Sequence, residues 1–209
     1  MTKMRKLTII FHSGYGHTKR VAFHVEKGVA SADVTVQSLA IDSEGNLPDG
    51  AWQTLRESDG IIFGTPTYMG GPSWQFKKFA DASSKQWFKQ DWKGKIAAGF
   101  TNSASINGDK ESTLHYLVTL ASQHNMLWSG LGLKPANSKA STRDDINYLG
   151  AYIGLVVVSP SDASVDEMNA GDLRTAEAFG ANIAEVLKRV SSVQSSPQDG
   201  LLSANAASF

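Results

Sequence analysis

An α/β chain built on one doubly wound parallel sheet is what this sequence predicts, and three observations carry that reading. Apolar runs of strand length alternate five times with helix-length segments, which places helices on both faces of a parallel sheet. The first run, residues 7–11, is apolar without alternation, as a central strand buried on both faces is. Stretches rich in Gly, Ser, Thr or Pro follow three of the strands, at residues 13–18, 64–72 and 101–108, so loops of special geometry collect at one edge.

Taken in order, residues 7–11 form the first strand. The first helix starts at about Thr18, with Val21, Val25 and Val29 recurring every four residues and Lys19, Arg20, Glu26 and Lys27 on other faces. Residues 34–39 alternate and read as an edge strand. A short helix is expected around residues 52–56. Residues 61–63 make the third strand, and residues 64–72 hold too much Gly and Pro to be anything but a loop. The third helix runs from about Ser73, with Trp74, Phe76 and Phe79 in apolar contact. Residues 96–100 are the fourth strand. The fourth helix buries Leu114, Leu117, Val118 and Ala121 along one face. A fifth strand begins near residues 126–128, is interrupted over 130–150 and resumes at 154–158. The last helix covers about residues 170–190, with Leu173, Ala176, Phe179, Ile183, Leu187 and Val190 as its stripe. Right-handed crossovers leave few topologies. The flavodoxin-like order, 2-1-3-4-5, puts a ligand at the strand C-termini where strands one and three diverge, so loops 13–18, 65–72 and 101–108 meet there. One domain is expected over residues 1–190, followed by a mobile tail over 191–209, which is polar and aperiodic.

Composition narrows the function. Lys+Arg and Asp+Glu both number 20, so the net charge is zero. That argues against a general nucleic-acid binder and against long-range steering toward a charged partner. With no cysteine, thiolate catalysis, disulfides and iron–sulfur sites are excluded, and any redox chemistry must run on a bound cofactor. The apolar run after the basic first six residues is too short for a signal peptide, and no window approaches the ~20 apolar residues of a membrane span. A cytoplasmic protein without a membrane span is expected. No His, Asp or Glu spacing points to a metal.

Loop 13–18 joins a strand to a helix N-terminus, whose free N–H groups and dipole favour an anion. Ser13 and Thr18 offer hydroxyls, His17 a backbone N–H group, and Gly14 and Gly16 let the backbone approach a ligand closely. The Gly-x4-Gly-Lys-Ser/Thr of a P-loop is absent, and Lys19 stands where a dinucleotide fingerprint wants its third glycine. What remains is a hydroxyl-and-backbone phosphate nest, or an ordinary strand-to-helix turn capped by Thr18. The second loop, with Pro66, Thr67, Tyr68, Met69 and Gly70, sets an aromatic and a thioether beside it, suited to a flat, largely apolar ring with one polar edge. Together they read as a site for flavin mononucleotide (FMN).

These two stretches, His-Ser-Gly-Tyr-Gly-His-Thr at 12–18 and Phe-Gly-Thr-Pro-Thr-Tyr-Met-Gly at 63–70, resemble the flavodoxin-like NAD(P)H:quinone oxidoreductases of the WrbA type and the related NADPH-dependent FMN reductases. The similarity continues through residues 79–81, Trp87, 92–95 and 124–126, covering about residues 5–130. The last helix is similar in pattern only. The resemblance implies that residues 13–18 bind the FMN phosphate and 67–69 contact the ring. It places Asn102, Ser103, Ala104 and Ser105 in the flavin-contacting run after the fourth strand, with one extra residue before Glu111. It sets Tyr15 near the nicotinamide, Trp87 near the substrate and His124 beside the flavin. Residues 131–153 differ in content from the family's substrate-side insertion. By the residues alone, Trp87 equally anchors its loop to the core, and His124 equally serves a helix C-terminus. Implied too are hydride transfer from NAD(P)H through FMN to a quinone or other small acceptor, and a homodimer or homotetramer. The alternatives are a flavodoxin-type electron carrier that binds FMN without NAD(P)H turnover, and an interaction protein that keeps only the fold.

Overall fold

The structure, a computed structural model, describes residues 4–32 and 34–194, without the side chains of 191–194. Its elements are β1 (Lys6–His12), α1 (His17–Ala30), β2 (Thr35–Ile41), α2 (Ala51–Glu57), β3 (Gly60–Tyr68), β4 (Gly71–Pro72), α3 (Trp74–Ala82), α4 (Ser84–Phe88), β5 (Ile96–Ser103), α5 (Lys110–Gln123), β6 (Leu127–Trp128), β7 (Leu155–Val158), a 3-10 turn (Val165–Glu167) and α6 (Ala170–Gln194). The fold class is the α/β one expected. β1 lies between β2 and β3, all parallel, with Leu7 level with Val36 on one side and Gly60 on the other. β3 continues to β5, also parallel, and β6 and β7 both pair with the far edge of β5, at Ile96–Ala97 and Phe100–Ser103 respectively.

Strand alternation divides the apolar residues into two cores. Leu7, Ile9 and Phe11 pack with Ile62, Phe100 and the stripes of α1 and α6, including Val21, Val25, Val29, Phe179 and Ile183. Ile10, Ile61, Phe63 and Ala97 face the other way, against α2, α3 and α5. There Phe63, Phe76, Phe79 and Trp92 form an aromatic cluster with neighbouring centroids 5.4–6.5 Å apart. No helix among the described residues is long and apolar enough to cross a membrane.

Several boundaries differ from expectation. β3 does not stop at residue 63 but runs on through Pro66 to Tyr68. At Thr65 and Pro66 it has lost its β1 neighbour and pairs with β5 alone, so a proline without an N–H is tolerated. What read as one long loop is this strand extension plus a hairpin into β4, turned by Met69 and Gly70. Both have positive φ, 48° and 76°, the geometry of a two-residue hairpin turn. Likewise β5 extends through Thr101, Asn102 and Ser103, paired with β7 on one side and, as far as Asn102, with β3 on the other. Trp74 is exposed rather than in apolar contact, since Phe76, Phe79 and Ala80 occupy the inward face of α3. Val118 is only half-buried, beside fully buried Leu114, Leu117 and Ala121. The last helix continues four residues past 190, into the segment expected as a tail. Its remainder, 195–209, lies outside the described residues.

Candidate functional site

A cavity of about 780 Å³ opens at the C-terminal ends of the strands, within the range of small-molecule sites. Tyr15, His17 and Thr18 line it from the β1–α1 junction, Pro66, Thr67 and Tyr68 from the end of β3, and Asn102, Ser103 and Ala104 from the end of β5. A fourth wall comes from the segment after β7: Ser159, Pro160, Ser161, Ala163, Ser164 and Val165. Sequence reasoning missed this wall. The signal was present, because Ser-Pro-Ser directly follows the resumed strand at the same sheet edge as the other three loops.

At the β1–α1 junction, Gly16 is the residue before α1, with φ 91°, and it contributes no side-chain cap. A Cβ there would lie 2.9 Å from Val165 Cγ2. The Ser13 hydroxyl oxygen accepts the N–H groups of Gly16 and Lys19, both at 3.1 Å, so it folds the turn. The Thr18 hydroxyl is also committed, donating to Asn102 Oδ1 at 2.7 Å, while Asn102 Nδ2 donates to Ser159 Oγ at 2.5 Å. Of the two hydroxyls expected as phosphate donors, Ser13 thus folds its own turn and Thr18, through Asn102, ties three walls together. What faces the cavity is the start of α1, where His17 and Thr18 have no carbonyl one turn back to receive their N–H groups. The His17 ring reaches the fourth wall, where its Nε2 meets the Ala163 carbonyl at 3.0 Å. With the Arg20–Asp166 pair at 2.6 Å it holds the fourth wall against α1.

Tyr15 and Tyr68 stand edge-to-face at the mouth, centroids 6.4 Å apart. Gly14 is the condition for that arrangement, since a Cβ on it would meet Tyr68 Oη at 2.5 Å. Burial pushes the Tyr68 phenol pKa up, with the nearby Tyr15 adding to it. Thr67 is anchored from behind by Thr101 and Thr113, each hydroxyl 2.8 Å away. Met69, fully exposed, and Gly70 sit at the hairpin tip outside the cavity lining, and the Ser105 carbonyl is turned to Lys110 Nζ at 2.5 Å.

Two expected site residues lie elsewhere in this chain. Trp87, on α4, is half exposed and does not border the cavity. His124 is buried at the end of α5, its ring 4.1 Å from Trp92 and its Nε2 bonded to Ser83 Oγ at 2.8 Å. Burial drives its pKa down to about 4, so it is neutral and gains nothing as a cation at the helix end.

The residues present fit FMN. A helix start without a side-chain cap suits a phosphate. Pro66, Tyr68, Ala104 and Pro160 offer apolar surface to a flat ring, and Thr67, Asn102 and Ser103 offer polar atoms along it.

Comparison with known proteins agrees. The model of the NADPH-dependent FMN reductase family matches residues 12–131. Flavodoxin FldP from Pseudomonas aeruginosa is 51% identical over 88% of this chain and 97% of its own. An NAD(P)H dehydrogenase (quinone) from Syntrophobacter fumaroxidans is 29% identical over 88% of this chain and 98% of its own. The crystal structure of a flavodoxin, WrbA-like protein from Agrobacterium tumefaciens superposes with a TM-score of 0.72 at 48% identity, covering 88% of this chain and 98% of that one. With three strand-end loops converging on one cavity and the family's model spanning the first two of them and the third, this chain belongs to the flavodoxin-like NADPH-dependent FMN reductase family.

Proposed function

We propose that the chain binds FMN in the strand-end cavity and uses NAD(P)H to reduce a quinone or another small acceptor. The observation that carries this reading is the cavity itself, which joins the start of α1 to an aromatic pair at an open mouth. In the proposed arrangement the N–H groups of His17 and Thr18 hold the phosphate, and Pro66 and Tyr68 orient the ring. Tyr15, 79% exposed, is free to take a second planar reactant against the open side. When bound, the flavin would supply the redox chemistry, hydride transfer from a nicotinamide and two-electron reduction of the acceptor. The chain's share is positioning and electrostatics, and no side chain acts as a nucleophile. Assembly as a homodimer or homotetramer belongs to the same proposal, since the half-exposed Trp87 does not reach this chain's own cavity.

The second reading, an electron carrier, draws on the relative named flavodoxin at 51% identity. Against it stands the zero net charge, since a carrier that docks on a basic reductase gains from an acidic face. The two separate in one anaerobic experiment. NADH or NADPH should bleach the absorbance of the bound flavin, and an added quinone should restore it over many cycles. A flavin that dithionite bleaches but neither nicotinamide touches would leave the carrier reading.

A further inference from the structure

Behind the third wall of the cavity lies a lysine in a costly position. Lys110 is the first residue of α5, where a positive charge opposes the helix dipole. It is also only 3% exposed, and an unpaired buried ammonium is unfavourable. Such a local conflict marks a functional or strained place in a fold. The chain turns back to make it: Gly108 and Asp109 both take left-handed φ, 56° and 51°. Lys110 Nζ then donates to Ser103 Oγ at 2.9 Å and to the Ser105 carbonyl at 2.5 Å, bracing the run that follows β5. Ser103 is part of the cavity lining.

Two further charges act on it. Asp172, from α6, holds Arg143 through both carboxylate oxygens at 2.5 and 2.6 Å and accepts the Val158 N–H at 2.9 Å. Asp109 and Glu111, on the lysine's own turn, are exposed and screened by water. Lys110, Asp172 and Arg143 therefore bring two positive charges and one negative to the protein side of the wall.

We propose that Lys110 is a positioning residue that fixes the 103–105 wall and, through its buried positive charge, favours the more negatively charged, reduced form of FMN in the cavity. This rests on the FMN reading above. Burial lowers the Lys110 pKa to about 8, with Asp172 raising it and Arg143 lowering it. The bias is therefore present below about pH 8 and lost above it.

The test is the midpoint potential of FMN bound to the full chain, titrated from pH 6.5 to 9.5, in the wild type and in Lys110→Gln and Lys110→Arg. The wild-type profile should bend near pH 8. Lys110→Gln keeps a donor for Ser105, so it should still bind oxidised FMN, yet it should lose the bend. Below pH 8 its preference for the reduced form should fall by about tenfold, which is ~30 mV for a two-electron couple. Lys110→Arg should hold the wild-type potential at low pH and carry it past pH 8. Wild-type potentials and an unchanged bend in either variant overturn the inference alone. A wild-type chain that binds no FMN overturns the cofactor reading and this inference with it.

Discussion

Gly14 has no room for a side chain, because Tyr68 Oη occupies the place of its Cβ. Gly14→Val should therefore push Tyr68 off its seat and weaken FMN binding at least tenfold, about 1.4 kcal/mol, with little change in melting temperature, since the turn is exposed. Calorimetric titration checks this, and an unchanged dissociation constant would remove the Tyr15–Tyr68 mouth from the site. From the sequence, the glycines at 14 and 16 are expected to let a ligand approach the backbone. The protein atoms found against them are those of Tyr68 and Val165, more than fifty and about a hundred and fifty residues away, which no local pattern reveals. His124 makes the opposite case. Its position matched a site residue, but its side chain points into an aromatic core that one-dimensional spacing does not reveal. Its folded pKa is depressed to about 4 from 6.5, so between those values the unfolded chain binds the extra proton. Stability should fall as pH drops from about 6.5 to 4. In His124→Gln, thermal melts at pH 7 and pH 5 should lie closer together than in the wild type. An equal gap in both would show that the histidine is not buried as described.

At the scale of elements, α1 and α6 pack through a pair of helical glycines. A Cβ on Gly28 would clash with the Glu177 carbonyl, and one on Gly180 with the Val25 carbonyl. Close backbone approach of this kind gives way poorly. Gly180→Ala should cost about 2 kcal/mol or more despite alanine's better helix propensity, lowering the melting temperature by about 4–8 °C. A rise in melting temperature would mean that the helices are free to separate. The helices themselves could be read from periodicity, as Val21, Val25 and Val29 show. Their partners could not, because the pattern marks which face is buried and not what lies against it. Strand ends were misjudged for a related reason. Pro66 and the polar run Thr101-Asn-Ser103 look like loop, yet the neighbouring strands hold them extended where the sequence alone offers no apolar signal.

For the whole molecule, alternation of strand and helix was enough to place three loops at one sheet edge, because chain direction and crossover hand leave little choice. The fourth wall followed from the same rule and was overlooked only because the resumed strand is short. Among the described residues, all that line the cavity fall between Tyr15 and Val165. A chain ending at Gln194 should consequently bind FMN as tightly as the full-length protein; loss of flavin on truncation would make the last fifteen residues part of the pocket. The two short strands on the outer edge of β5 carry one more implication. Trp128 Nε1 donates to the Ile153 carbonyl at 2.8 Å and Leu131 N–H to the Tyr152 carbonyl at 2.9 Å, so the excursion between them leaves and re-enters through a stitched neck. Beyond that neck the excursion is moored to α6 rather than to the strands, through Arg143 on Asp172 and the Asn147 N–H on Thr175 Oγ1. Insertions between those moorings would leave the register of the sheet untouched, whereas loss of a mooring would reach α6 and, through the Asp172 carboxylate on Val158 N–H, the resumed strand.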